Sequence, residues 1–98
     1  MEVEVLGAHN LTDAGSRLVA LRVDGWLGVD AGSLSSGLSF EEQLKIRAVL
    51  LSHHHFDHIR DIFTLGLFRA YQGYISLYAT APTLQVLTSL LDGRIYPD

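Results

Sequence analysis

The chain has 98 residues, 48% of them apolar, a formal net charge of −4 and no cysteine. That length holds one modest domain able to bury about two thirds of its unfolded surface, and the apolar content excludes a disordered chain. Without cysteine neither a disulfide framework nor a thiolate zinc site can form, so any metal must sit on His and carboxylate.

The seven Lys and Arg residues are scattered, so duplex nucleic acid is not an expected partner. A small anionic substrate is, because a bound dication can supply the positive charge that the side chains lack. The N-terminus, Met1-Glu2-Val3-Glu4, has no basic region leading into an apolar core, and no apolar run approaches the ~20 residues that span a bilayer. These features predict a cytoplasmic protein with no membrane partner.

Val3, Val5 and Leu6 predict a first strand ending at Gly7, followed by a loop containing Gly, Asn and Asp. Apolar runs at 18–23 and 26–29 flank Asp24-Gly25, a strong signal for an antiparallel hairpin. A Gly- and Ser-rich loop over 31–38 leads to Ser39-Phe40-Glu41-Glu42, where Ser39 and Glu42 have capping-box spacing and predict a short helix with Phe40 and Leu44 inside. Ala48-Val49-Leu50-Leu51-Ser52 is too short for a free helix and reads as a buried central strand.

Ile59, Ile62, Phe63, Leu67, Ala70 and Tyr71 recur at helical spacing and predict a helix with one apolar stripe. Residues 74–79 predict another strand. Thr80 as N-cap, Pro82 in the first turn, Leu84, Leu87 and Leu91 as the apolar set and Gly93 past the end predict a last helix. The fold class is therefore α/β (α+β), a mixed sheet with helices packed on it, in one domain over 1–98 with no repeat or linker. Residues 93–98 read as a connection, and the expectation is a domain truncated there.

Between the central strand and the helix stands His53-His54-His55-Phe56-Asp57-His58. In an extended segment alternate side chains share a face, so His53 and His55 can grip one ion while His54 points away. Asp57 and His58 follow at the turn into the helix and can serve a second ion beside the first. Two metals roughly 3.5–4 Å apart suit hydrolysis, with a shared hydroxide as nucleophile. His and Asp suit zinc first, with manganese or iron as alternatives. A surface His tract or tag remnant is the bland alternative, disfavoured by fusion of the motif to an apolar strand.

These residues resemble the metallo-β-lactamase superfamily, whose signature is H-x-H-x-D-H directly after a buried strand. The resemblance implies the N-terminal half of an αββα sandwich, with His53 and His55 on one metal and Asp57, counted as the catalytic carboxylate, with His58 on the other. Asp30-Ala31-Gly32 stands where the family carries an upstream Asp-x-Gly, which implies that Asp30 orients a ligand imidazole. Complete members place two further His ligands and a bridging Asp well downstream, and no His follows His58 here. The implied enzyme is a binuclear metallohydrolase as a full-length protein, with this chain alone inactive or weakly active.

Leu6-Gly7, Asp30-Ala31-Gly32, His58-Ile59 and Leu91-Asp92-Gly93-Arg94-Ile95-Tyr96-Pro97 together look like the class II cyclic nucleotide phosphodiesterase and ribonuclease Z-like branch. Phe56 disfavours the transfer-RNA 3′ processing enzymes, which usually carry Gly there. The expected substrate is thus a phosphodiester such as a cyclic nucleotide. The alternatives are a thioester or lactone, or a non-catalytic fragment whose site and sheet edge are completed by another chain or a homo-oligomer.

His9, on the loop after the first strand, is the candidate substrate contact, with an exposed or loop-packing role as the favoured alternative. Tyr71, Tyr74 and Tyr78 are expected in the core rather than as a base-stacking surface. Ser52 is expected to pack or to bond backbone.

Overall fold

The structure, a computed structural model, describes residues 1–73 and 75–90, the side chains of 67–72 excepted. Strand β1 (Val3–Gly7) pairs antiparallel with β2 (Ala20–Val23), and β2 pairs antiparallel with β3 (Leu27–Val29). Asp24 and Gly25 close the second hairpin at φ 54° and 78°, the left-handed pair that a tight turn between twisted strands requires. A loop and the one-turn helix α1 (Phe40–Gln43) cross to β4 (Ala48–Leu50), which runs parallel to β3. Helix α2 (Phe56–Gln72) crosses to β5 (Ser76–Tyr78), parallel to β4, and α3 (Ala81–Leu90) follows. The sheet order is β1-β2-β3-β4-β5, a mixed sheet with helical crossovers as expected. The readings placed on Leu67, Ala70, Tyr71, Tyr74, Leu91, Gly93 and the 93–98 connection lie outside the described residues and side chains.

Register gives the sheet two unlike faces. Glu4, Arg22, Gly28, Val49 and Leu77 stand in one row on the inner face. The core lies on that side, where Ala20 and Val49 meet Ala31, Leu34 and Leu38 of the loop, Ile46, and Ile59, Ile62 and Leu65 of α2, with Leu87 from α3. Burying each large side chain of this set contributes roughly 1.5–3 kcal/mol.

The other row, Val5, Leu21, Val29, Leu50 and Tyr78, carries no helix among the described residues. Val5 is 66% exposed, Leu50 46% and Tyr78 58%. Two expectations are corrected here: β4 is interior in the sheet but buried on one face only, and Tyr78 is a surface residue rather than a core one.

The capping box forms as read. The Glu42 N–H donates to Ser39 Oγ at 3.1 Å and the Ser39 N–H donates to Glu42 Oε1 at 3.2 Å. Phe40 and Leu44, expected inside, are exposed. A single turn has no second turn to define a stripe, and the buried position goes to Gln43, whose amide donates to the Ser35 and Leu38 carbonyls at 3.0 and 3.1 Å.

Arg22 is buried on the inner face with a forked pair of bonds to Glu4, 2.9 and 2.7 Å, and a third contact to Glu42 at 3.1 Å. The Glu4 contact raises its already high pKa against the cost of burial. One guanidinium thus ties β1, β2 and α1 together.

Candidate metal centre

After Leu50 the chain stays attached to β5 for one more bond, the Leu51 N–H donating to the Tyr78 carbonyl at 2.9 Å, and then leaves the sheet. His55 is the N-cap of α2, with extended backbone and no side-chain capping bond, so its ring is not spent on the helix end. The His58 N–H donates to the His55 carbonyl at 2.9 Å, which turns Asp57 and His58 back over the preceding segment.

Three imidazoles gather there. The His53 and His58 rings lie 4.0 Å apart between centroids, tilted by 50°, and His53 meets His55 edge-on at 4.7 Å. Asp57 Oδ2 lies 3.3 Å from His58 Nε2. His54 turns elsewhere: its Nδ1 bonds the hydroxyl of Thr83, a buried residue of α3, at 3.1 Å.

Asp30 sits beneath this group at φ 60°, a left-handed conformation that Asp tolerates better than most residues. Its N–H donates to the Leu50 carbonyl at 2.8 Å, and its carboxylate is buried. Oδ1 accepts the Ser52 N–H at 2.9 Å, and Oδ2 lies 2.9 Å from His58 Nδ1. The next residues continue the attachment, with the Ala31 N–H on the His58 carbonyl at 2.7 Å and the Asp61 N–H on the Ala31 carbonyl at 2.8 Å. A Cβ at Gly32 would run into the Asp57 carbonyl and Leu18 Cβ, so the glycine of Asp-x-Gly is what lets the loop touch the first turn of α2.

Sequence reasoning missed two members of this assembly. Ser52, expected to pack or to bond backbone, is exposed and uses its hydroxyl on the Asp30 side chain at 2.9 and 3.0 Å and on His53 Nδ1 at 2.9 Å. A small hydroxyl residue immediately before the motif was its only signal. Asp61 is buried on α2 and accepts from the Ser36 N–H at 2.7 Å and from Arg60 Nε at 3.0 Å, securing the Ser-rich loop. Its place one helical turn after His58 gave no hint of that.

His9 is exposed, with its N–H on the Arg17 carbonyl at 2.9 Å, and among the described residues no hydrogen bond or ion pair joins its side chain to the imidazoles. Among the described residues no set of three His, Cys, Asp or Glu side chains converges to hold a metal ion. The rings lie against one another instead. The donor set, three imidazoles and a carboxylate with further oxygen atoms behind them, nevertheless has the chemistry that a divalent transition metal takes. No helix among the described residues is long and apolar enough to cross a membrane.

In this mixed sheet the parallel strand β4 delivers a His- and Asp-rich turn onto the N-terminus of the crossover helix α2. The model of the β-lactamase superfamily domain matches residues 13–94, and the chain belongs to that superfamily, most of whose members are hydrolytic metalloenzymes. Among solved structures it is similar to the metallo-β-lactamase fold protein YhfI from Bacillus subtilis, with 28% identity and a TM-score of 0.69 over 88% of this chain. The match takes in 39% of YhfI, so the chain spans well under half of that protein's length, and its fold corresponds to an N-terminal portion. No curated protein matches the chain.

Proposed function

We propose that this chain carries the first half of a binuclear metal site in a hydrolase that cleaves phosphodiesters, with small anionic cyclic nucleotides as the substrate class. The observation that carries the reading is the gathering of His53, His55, Asp57 and His58 within a few ångströms at the end of β4, with the Asp30 carboxylate on the back of His58. His53 and His55 would hold one ion, and Asp57 and His58 the other, zinc being the first choice. When bound, such ions supply an activated water and positive charge toward substrate oxygens.

The residues of this chain bind and orient. Asp30 holds His58 through Nδ1, and His58 Nε2 faces Asp57 Oδ2 at 3.3 Å, the two atoms that would share an ion. His54 is anchored away on Thr83 and stays out of the donor set. In this reading the chain gives two ligands to each ion and the remainder come from elsewhere. His9 has no part in the proposal.

The test is to load the full-length gene product with zinc or manganese and assay cyclic nucleotides and a chromogenic phosphodiester beside a thioester and a lactone. Phosphodiester turnover that disappears in His55→Ala supports the reading. Acyl turnover alone would move the substrate class, and no metal uptake by the loaded protein would sink the metal site.

A further inference from the structure

The stretch that carries His53 and His54 is held by side chains. On its near side the Leu51 N–H is bound to the Tyr78 carbonyl and the Ser52 N–H to Asp30 Oδ1, and on its far side the His55 carbonyl accepts the His58 N–H. Between these points, among the described residues, no backbone–backbone hydrogen bond reaches His53 or His54. The His53 ring bonds the hydroxyl of Ser52, its own neighbour, so that contact travels with the stretch. Among the described residues the hydrogen bond that ties His53 and His54 to a separate element is His54 Nδ1 on Thr83 Oγ1 of α3, at 3.1 Å.

Thr83 is placed for that bond. Of the residues of α3, Thr83 and Leu87 are the buried ones, one turn apart on the same face. Leu87 enters the apolar core, whereas Thr83 puts a hydroxyl into the interior where the helix passes the motif. An apolar side chain of similar volume would be buried there at less cost, because a buried hydroxyl must find a partner. Its partners are His54 and Thr80, whose hydroxyl donates to Thr83 Oγ1 at 3.2 Å.

In an extended stretch the middle side chain leaves on one side and its two neighbours on the other. A bond that fixes His54 toward α3 therefore turns His53 and His55 the opposite way. Those two rings meet edge-on at 4.7 Å, while the His54 ring lies 6.4 Å from that of His55. We propose that Thr83, acting through His54, is a positioning residue that aims His53 and His55 together at one point. Helix α3, which brings no His or carboxylate of its own, thus sets the direction of the two imidazoles assigned to one ion. The purpose of that aim rests on the metal-site reading, while the aim itself can be read without any metal.

The experiment uses the full-length gene product with ¹³C-labelled histidine, metal-free and at about pH 8.5, above the ordinary imidazole range. Thr83→Val keeps the branched shape and loses the hydroxyl; Thr83→Ser keeps the hydroxyl. Nuclear Overhauser contacts between the ring protons of His53 and His55 should be present in the unsubstituted protein, disappear in Thr83→Val and return in Thr83→Ser. Zinc affinity, followed by competition with a chromogenic chelator, should fall about tenfold in Thr83→Val and recover in Thr83→Ser. In a His54→Ala background Thr83→Val should cause no further loss, because the effect passes through that ring.

A residue that only fills the interior would shift the urea midpoint of Thr83→Val and leave the ring contacts and zinc affinity as they were, and that result overturns the proposal. So does an equal loss of zinc affinity on Thr83→Val with or without His54. Absence of the His53–His55 contact from the unsubstituted protein overturns it even if Thr83→Val does not fold. Ring contacts that follow the hydroxyl in a protein that takes up no zinc would uphold the positioning role and count against the metal reading instead.

Discussion

Gly32→Ala tests how the site is mounted. Gly32 does not occupy the left-handed region, so its replacement costs no backbone strain of that kind, and the whole effect is steric. The new methyl would meet the Asp57 carbonyl, which is backbone of the first turn of α2 and cannot swing aside as a side-chain tip could. Relief requires the 30–32 loop and the helix start to separate. Two backbone bonds lie across that seam, the Ala31 N–H on the His58 carbonyl at 2.7 Å and the Asp61 N–H on the Ala31 carbonyl at 2.8 Å.

Overpacking costs about 1–3 kcal/mol and each lost bond about 1 kcal/mol, which places the substitution at about 3–5 kcal/mol. Against a total stability of roughly 5–15 kcal/mol this is a large share. Urea unfolding followed by circular dichroism should show the midpoint falling by about 2 M or more, for a slope of about 1–2 kcal/mol/M. A loss below about 1 kcal/mol would refute the reasoning, because it would mean that loop and helix are not in backbone contact.

Arg22→Ala should destabilise by about 1–2 kcal/mol in the same assay, the moderate size reflecting carboxylate partners that water still reaches; no loss would show the three-way tie to be idle. Glu42 is held below the usual glutamate range, first by the Ser39 backbone N–H, then by the Ser39 side chain and Arg22. A depressed carboxylate stabilises fully above its ordinary range and loses that contribution as pH falls through the depressed value. Glu42→Gln should therefore lower stability at neutral pH and flatten its acid-side decline, read from urea midpoints between about pH 7 and 3; an unchanged slope would contradict this. Leu50→Lys, on the exposed sheet face, should change stability by no more than about 0.5 kcal/mol while reducing binding of a hydrophobic dye, and a loss above about 2 kcal/mol would place Leu50 in a core after all.

Features readable from the sequence were those decided within a few residues. Asp24-Gly25 must turn because of its own backbone preferences, and Ser39 with Glu42 makes a cap from groups three positions apart. Val49 and Leu51 announced an inner strand by composition. The α1 interior failed because hydrophobic periodicity needs more than one turn to speak, and Gln43 went inside to satisfy loop carbonyls that no local pattern reveals.

Leu50 and Tyr78 misled in another way. Their apolar character is real, but which sheet face receives helices is decided by the crossovers of α1 and α2. The motif residues were legible as imidazoles and a carboxylate at the passage from β4 to α2, whereas their wiring was not. The Ser52–Asp30 bonds join positions 22 apart, and the Arg22 contacts join positions 18 and 20 apart. Such pairings exist only once the sheet has assembled.

The left-handed backbone at Asp30 filters this position twice. The backbone alone would welcome Gly and accept Asn, and it would resist nearly every other residue. The carboxylate wiring alone would welcome a charge, yet Glu brings that charge on a side chain one methylene too long and a backbone poorly suited to the conformation. Only Asp passes both filters. A collection of variants at this one codon would separate what is needed to fold from what is needed to arrange the imidazoles, with Gly keeping the first and forfeiting the second and Glu forfeiting both.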